Sequence, residues 1–410
     1  MSDSTLDQTQ VVEQEDDLHS GEPLKFDHLE LKKIAAEHLQ KHKCTSIRKI
    51  GEGTFNKVYL LTMDDGFECI GRVAFPNFRY YKTESEVATM EFLAAETSIR
   101  VPKVYAWDSN PSNPVGAEYI IMEKIPGVSL GSIWVNLTLD DKKHFVGKIL
   151  DIMLLLFNTT FDKIGSLYRD SKTHSYEVGL IVCDLFFDGK RGDMDLDRGP
   201  WKSTGEYLGA LIRSEAVYIK AQRDDKGSSK DDDDDYDEDD VDDILQACAE
   251  MEKIIPYFCP SDPALERFCL HHSDLHLYNV MVEGNEITGI IDWESTGAYP
   301  TWMCADYPEF LMGRNDVEAS EADNWGNKEE FQEAVEDTIL RRFFLAEVEK
   351  RDQSFARIMK ESGKFKMFLT KTITLRDFPN HVKNWIKRLR NGSDNWDYDP
   401  FSVKNYTLIE

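Results

Sequence analysis

Residues 270–294 read LHHSDLHLYNVMVEGNEITGIIDWE. His272 and Asp274 stand two apart, Asn279 follows five residues after the aspartate, and Asp292 comes thirteen after the asparagine. Gly284-Asn285 divides two runs that mix β-branched and apolar residues, a strong signal for a hairpin with a two-residue turn. A hairpin brings the residues before it and after it together. Asn279, entering the first strand, and Asp292, leaving the second, can therefore reach one point. Two oxygen ligands beside a third carboxylate suit a hard cation such as Mg²⁺, which keeps several of its waters. The remaining carboxylate, Asp274, can accept the proton of a substrate hydroxyl and aim its oxygen at a phosphorus atom. His-x-Asp alone is common, and Asn or Asp beside a hairpin is ordinary turn chemistry. The complete spacing is what points to phosphoryl transfer. His271 and His276 flank the set and read as packing or surface groups.

The chain that must position these residues has 410 residues, of which 41% are apolar and 11% aromatic, enough for a two-lobed globular protein. Its formal charge is −28, and residues 231–243 hold eleven carboxylates and no base, so about −17 would remain without them. No basic stripe is visible, which argues against a nucleic-acid partner. The seven cysteines are dispersed with no Cys-x-x-Cys, as expected of reduced thiols inside a cell and not of a disulfide frame or a zinc site. The longest apolar run, ILDIMLLLF at 149–157, contains Asp151 and falls short of the roughly 20 residues of a membrane span. The polar, acidic N-terminus resembles neither a signal peptide nor an Arg-rich transit peptide, so a cytoplasmic protein is expected.

Residues 1–24 read as a disordered acidic lead-in. A helix is expected over 27–42, then three antiparallel strands over 45–76, where β-branched runs are cut by Gly-Glu-Gly and Asp-Asp-Gly. A helix over 82–98 and two strand-like runs within 101–127 complete a β-rich lobe, 25–127. From 128 the pattern is mostly helical: a helix capped by Thr138, helices over 203–222 and 241–258, and at least two more over 328–391. The acidic stretch 224–243 reads as a disordered insertion between two of them. The expected fold is α+β, a small β-rich N-lobe with one main helix followed by a larger, mostly helical C-lobe, 128–410.

His272, Asp274 and Asn279 resemble the H-x-D-x-x-x-x-N loop of the protein-kinase-like superfamily, and Asp292 stands where that superfamily binds metal. Trp293-Glu294 follows where protein kinases carry Phe-Gly, and the Asp-Phe-Gly and Ala-Pro-Glu landmarks of a protein kinase are missing. IDWE instead resembles the aminoglycoside phosphotransferase family, also called the phosphotransferase enzyme family, and within it the fungal members related to altered inheritance of mitochondria protein 9. Supporting stretches are GTFNKVYLLTMDDG, SEVATMEFLA, VPKVYAWDSNPSNPVGAEYIIMEKIPG and DMDLDRGPW, so the resemblance spans roughly 45–310. It implies a protein-kinase-like two-lobed fold, ATP and Mg²⁺ as cofactors, and Asn279 and Asp292 as metal ligands. It also implies a catalytic loop in which Asp274 is the base and His272 orients its neighbours through hydrogen bonds. Mitochondria become the alternative compartment. Asp306 resembles a structural aspartate that follows the metal site, and DMDLDRGPW has no assigned role.

A site of this kind needs three further parts. A phosphate-covering turn is offered by Gly51 and Gly53 in IGEGTFNKV, with Asn56 at the third glycine position; no GxxxxGK[ST] loop exists. The cation on the third strand, a lysine in the family, is Arg72 here, with different reach and geometry. Its partner is expected to be Glu86, which shares a helical face with Met90 and Leu93, whereas Glu84 and Glu91 should face solvent. Met122 would line an adenine pocket, with Glu123 and Lys124 carrying backbone contacts. The expected function is an ATP-dependent phosphotransferase acting on a hydroxyl of a small molecule, with no assignable protein partner. The alternative is a catalytically silent nucleotide-binding regulator, suggested by Arg72 and the incomplete glycine turn.

Overall fold

The computed structural model describes residues 24–76, 78–187, 189–225, 238–312, 316–317 and 327–392. The chain divides into two compact units, the first ending at Ile125 and the second beginning at Pro126, two residues before the expected lobe boundary.

In the first unit, helix α1 (His28–His38) starts at Asp27, whose carboxylate accepts from the N–H groups of Leu29 and Glu30. Strands β1 (Cys44–Glu52), β2 (Asn56–Met63) and β3 (Glu68–Ala74) form the expected antiparallel meander, followed by α2 (Tyr81–Glu96), β4 (Val104–Asp108) and β5 (Tyr119–Glu123). The sheet order is β1-β2-β3-β5-β4. Alternation along the strands gives the sheet two different faces. Tyr59, Leu61, Cys69, Val73, Tyr119 and Ile121 form one, sealed by Leu31, Ala35 and Ala36 of α1. Gly71 belongs to this face because a Cβ there would lie 3.1 Å from Leu61 Cδ1 and 3.5 Å from Leu31 Cδ2. Register places Val58, Ile70, Arg72, Ile120 and Met122 together on the opposite face.

The second unit opens with β6 (Val128–Ser129), α3 (Leu130–Ile133) and α4 (Leu139–Asn158), whose N-cap is Thr138, accepting from Asp141 N–H. There follow β7 (Thr160–Phe161), β8 (Gly165–Arg169), β9 (Tyr176–Val178), α5 (Asp184–Phe187), α6 (Thr204–Asp225) and α7 (Glu238–Ile254). The acidic stretch is thus helical at both ends, and residues 226–237 lie outside the described residues, as does the N-terminal stretch 1–23. Next come β10 (Phe268–His271), β11 (Val280–Glu283), β12 (Glu286–Ile290), β13 (Gly297–Pro300) and α8 (Thr301–Cys304). The tail forms α9 (Lys328–Arg351), α10 (Gln353–Glu361), α11 (Gly363–Ile373) and α12 (Pro379–Arg390). The small β-rich unit with one main helix over its sheet, followed by a larger mostly helical unit, is the α+β, protein-kinase-like plan.

One feature the sequence did not disclose is a five-stranded sheet in the second unit, ordered β7-β10-β13-β8-β9. Its strands are two to five residues long, too short for alternation to register as a pattern. The DMDLDRGPW segment also gains a physical account. Arg198 donates to the carbonyls of Phe186, Met194 and Arg191 at 3.3, 3.1 and 2.5 Å, and its guanidinium lies over the Phe187 ring. Asp197 accepts from the indole N–H of Trp201 at 3.0 Å, and buried Trp201 pairs through its backbone with Ile164. The motif fastens a loop against β8.

Candidate active site

In the second unit, β10 delivers the chain to the loop 272–276, a single 3₁₀ turn over Leu277–Asn279 follows, and β11 and β12 form the hairpin about Gly284-Asn285. Gly284 has φ +58°, as a two-residue hairpin turn of this type requires. The register Val280↔Ile290 returns the chain so that Ile291 N–H donates to Asn279 O at 3.0 Å. Ile291 O in turn accepts from His272 Nε2 at 3.2 Å. One residue, Ile291, thereby ties both arms of the motif together, with Asp292 next to it.

His272 is buried, and its other ring nitrogen, Nδ1, accepts from Asp274 N–H at 3.2 Å. Both contacts require the neutral tautomer protonated on Nε2. Burial, the dominant cause, pushes the imidazole down to about 4. His272 therefore holds the Asp274 backbone as a neutral imidazole and takes up no second proton near neutrality. Burial likewise pushes neighbouring His271 down to about 4.

The Asn279 amide nitrogen donates to Asp274 O at 2.8 Å and lies 3.3 Å from Asp274 Oδ2. The amide is so oriented that Oδ1 is the atom that could take a cation. The Asp274 carboxylate is half-exposed, with His276 Nε2 3.5 Å from its Oδ2. Asp292 adopts φ +65°, a left-handed conformation that costs a non-glycine residue about 1–2 kcal/mol. Trp293, fully buried, fixes the segment through its indole N–H on Ile290 O at 3.0 Å and a ring contact with His272 at 4.6 Å. Asn279 and Asp292 supply two hard oxygen donors, a set that suits Mg²⁺ completed by water and phosphate oxygens. Among the described residues no group of three His, Cys, Asp or Glu could hold a metal, so a zinc-type site is not offered. Asp306 is structural: Lys366 Nζ bonds its Oδ2 at 2.6 Å and the Ala305 carbonyl at 2.8 Å.

In the first unit, Arg72 and Glu86 are both buried and Arg72 Nη1 donates to Glu86 Oε1. Glu84 is instead half-buried, accepting from Ser109 Oγ at 2.9 Å. Gly51 lies one residue before the end of β1, opposite Val58, and Gly53 N–H donates to Asn56 O at 3.0 Å to close the turn. Met122 is buried on the Arg72 face. The Glu123 carboxylate is engaged by Arg100 and by Lys103 N–H, and Lys124 Nζ pairs with Glu68 at 2.5 Å, so these two side chains serve the fold. Sequence reasoning overlooked two buried residues here, Lys82 and Glu118. Lys82 could have been found, since it lies one helical turn before Glu86 on the same face.

No helix among the described residues is long and apolar enough to cross a membrane. The profile of the phosphotransferase enzyme family matches residues 46–303. Among curated proteins, a subtelomeric hrmA-associated cluster protein of Aspergillus fumigatus is 30% identical over 321 residues, covering 66% of this chain and 62% of that one. The mitochondrial altered inheritance of mitochondria protein 9 of Candida tropicalis is 26% identical, covering 65% of this chain and 49% of its own length. The chain thus spans about half to three fifths of the relatives it matches. Among solved structures, a thermostable mutant of aminoglycoside phosphotransferase APH(4)-Ia in ternary complex with ADP and hygromycin B is 14% identical. The alignment covers 89% of this chain and 99% of that one at a TM-score of 0.46.

Proposed function

This chain belongs to the phosphotransferase enzyme family, and on that premise we propose that it is an ATP-dependent phosphotransferase whose acceptor is a hydroxyl of a small molecule. The observation that carries the reading is the junction at Ile291, which holds Asn279 and Asp292 on adjoining backbone while His272 fixes Asp274. In this reading Asp274 accepts the hydroxyl proton and directs the oxygen toward phosphorus. Asn279 Oδ1 and the Asp292 carboxylate would hold Mg²⁺, which would supply neutralisation of phosphate charge. Arg72, kept in place by Glu86, binds phosphate oxygens, and the turn at Gly51 and Gly53 covers them. Met122 lines the adenine pocket, with main-chain atoms at Glu123 and Lys124 meeting the base. Transfer of this kind depends largely on positioning and charge neutralisation, so these few groups suffice.

Arginine in place of lysine at residue 72 favours a second reading, a silent nucleotide-binding regulator. Incubating the protein with Mg-ATP and a panel of hydroxyl compounds, and following ADP release, separates the two. Turnover that Asp274→Asn reduces by two or more orders of magnitude supports transfer; ATP binding without turnover for any acceptor supports the regulator. The acidic composition of the chain suits cationic acceptors. For the compartment, the cytoplasm stands beside the mitochondrion, to which the name of the Candida tropicalis relative assigns that protein. Fractionation of cells expressing the full-length protein decides between them.

A further inference from the structure

Asn56 breaks the glycine pattern of the phosphate-covering turn, and the structure gives it an occupation. Lys82, in the first turn of α2, is only 3% exposed. Its Nζ donates to Asn56 Oδ1 at 2.9 Å and to the Phe55 carbonyl at 3.0 Å, and lies 5.5 Å from the centre of the Phe55 ring. Asn56 itself is buried, and its carbonyl accepts from Gly53 N–H across the turn. The other end of the strut is also fixed. Glu118, buried just before β5, accepts from Tyr80 N–H at 2.8 Å and from Thr83 Oγ1 at 2.7 Å, bracketing Lys82 on both sides. Lys82 and Glu86 are four residues apart on one helical face, so the helix that holds Arg72 also holds the tip of the turn.

We propose that Lys82 is a positioning residue for the nucleotide phosphates: through Asn56 and the Phe55 carbonyl it locks the glycine turn to α2, replacing the conformational pattern of a third glycine with a buried tether. The inference rests on the phosphotransferase reading. A turn with fewer glycines has fewer backbone conformations that let its N–H groups approach a phosphate. A charged donor bonded to two oxygens of the turn selects one of them before the nucleotide arrives, and preorganisation of this kind appears as affinity. An ammonium so buried is retained only with partners: two of them are oxygens of the turn, and the Glu118 carboxylate adds charge attraction.

The test is calorimetric binding of Mg-ATP and of adenosine to the full chain carrying Lys82→Met, Lys82→Arg, Asn56→Ala and the Lys82→Met/Asn56→Ala pair, with thermal melting as a control. Lys82→Met is expected to weaken Mg-ATP about tenfold, the size of one hydrogen bond to a charged group, and Asn56→Ala somewhat less. Adenosine affinity should stay within about twofold of wild type, since adenosine has no phosphate for the turn to meet. The double variant should be no worse than Lys82→Met alone, because both changes cut the same tether, and Lys82→Arg should recover part of the loss. Equal losses for adenosine and Mg-ATP would reduce Lys82 to a general support of the unit and overturn the proposal. Additive losses would make Lys82 a direct phosphate ligand and overturn it as well. A wild type that binds Mg-ATP while the variants match it defeats only this inference. A wild type that does not bind Mg-ATP defeats the phosphotransferase reading and the inference with it.

Discussion

Glu86 shows how much rests on single side chains. It is 3% exposed and its partner Arg72 is 5% exposed, so neither can turn to water if the other is lost. Removing one partner of a buried pair typically costs about 3–5 kcal/mol. Glu86→Ala should therefore lower the melting temperature sharply, whereas Arg72→Lys keeps the charge and should cost less. A differential scanning measurement that finds the two equal would contradict the pairing. His272 makes a pH prediction. Its folded value is held near 4 against 6.5 for a free imidazole, so the unfolded chain binds the extra proton first as pH falls. Its contribution, up to about 3 kcal/mol, is complete above pH 6.5 and lost as pH falls toward 4. Urea titrations from pH 7 to pH 4 should show stability falling, with a shallower slope in His272→Asn. Asp274, Asn279 and Asp292 were legible because their spacing is chemical. Lys82 was overlooked, although its place one helical turn before Glu86 was visible, because a lysine at the start of a helix reads as a solvated charge; its partners in the turn appear only in the structure.

At the scale of elements, two glycines that look alike in sequence should behave differently. Gly284 sits in the hairpin turn at φ +58°, and a Cβ there would have nothing within 4 Å, so Gly284→Ala costs only backbone strain, about 1 kcal/mol. Gly127 has φ +97°, and a Cβ there would stand 2.1 Å from the Val282 carbonyl oxygen, where β6 pairs with β11. Gly127→Ala should cost more than about 3 kcal/mol, and equal melting temperatures for the two variants would contradict this account of the strand pair. The meander over 45–76 could be read because its strands are seven to nine residues long and bounded by turn residues. The second unit's sheet could not, because pieces such as Phe268–His271 and Gly297–Pro300 are fixed by their neighbours and not by local pattern. Helix α1 was expected near its observed place, but only the structure shows that it seals one face of the first sheet.

For the whole molecule, charge is the dominant feature. A net charge of −28 repels itself in the folded state, and salt screens that repulsion over about 10 Å at 0.1 M. The melting temperature should rise between roughly 0.02 and 0.3 M sodium chloride; a fall would mean that the ion pairs, such as Lys142–Glu336 and Lys366–Asp306, outweigh the excess of carboxylates. Under the proposed function the same acidity favours a metal-bridged nucleotide over free ATP, since the cation would offset charge that the protein would otherwise repel. The central claim is that Asp292 and Asn279 hold the metal that lets this chain bind nucleotide for transfer. It is tested most directly by calorimetry of ATP binding, with and without Mg²⁺, on the wild type and on Asp292→Ala. The account predicts wild-type binding that tightens with Mg²⁺ and a variant that has lost that gain; ATP binding that is indifferent to Mg²⁺, or a gain that survives in the variant, would contradict it.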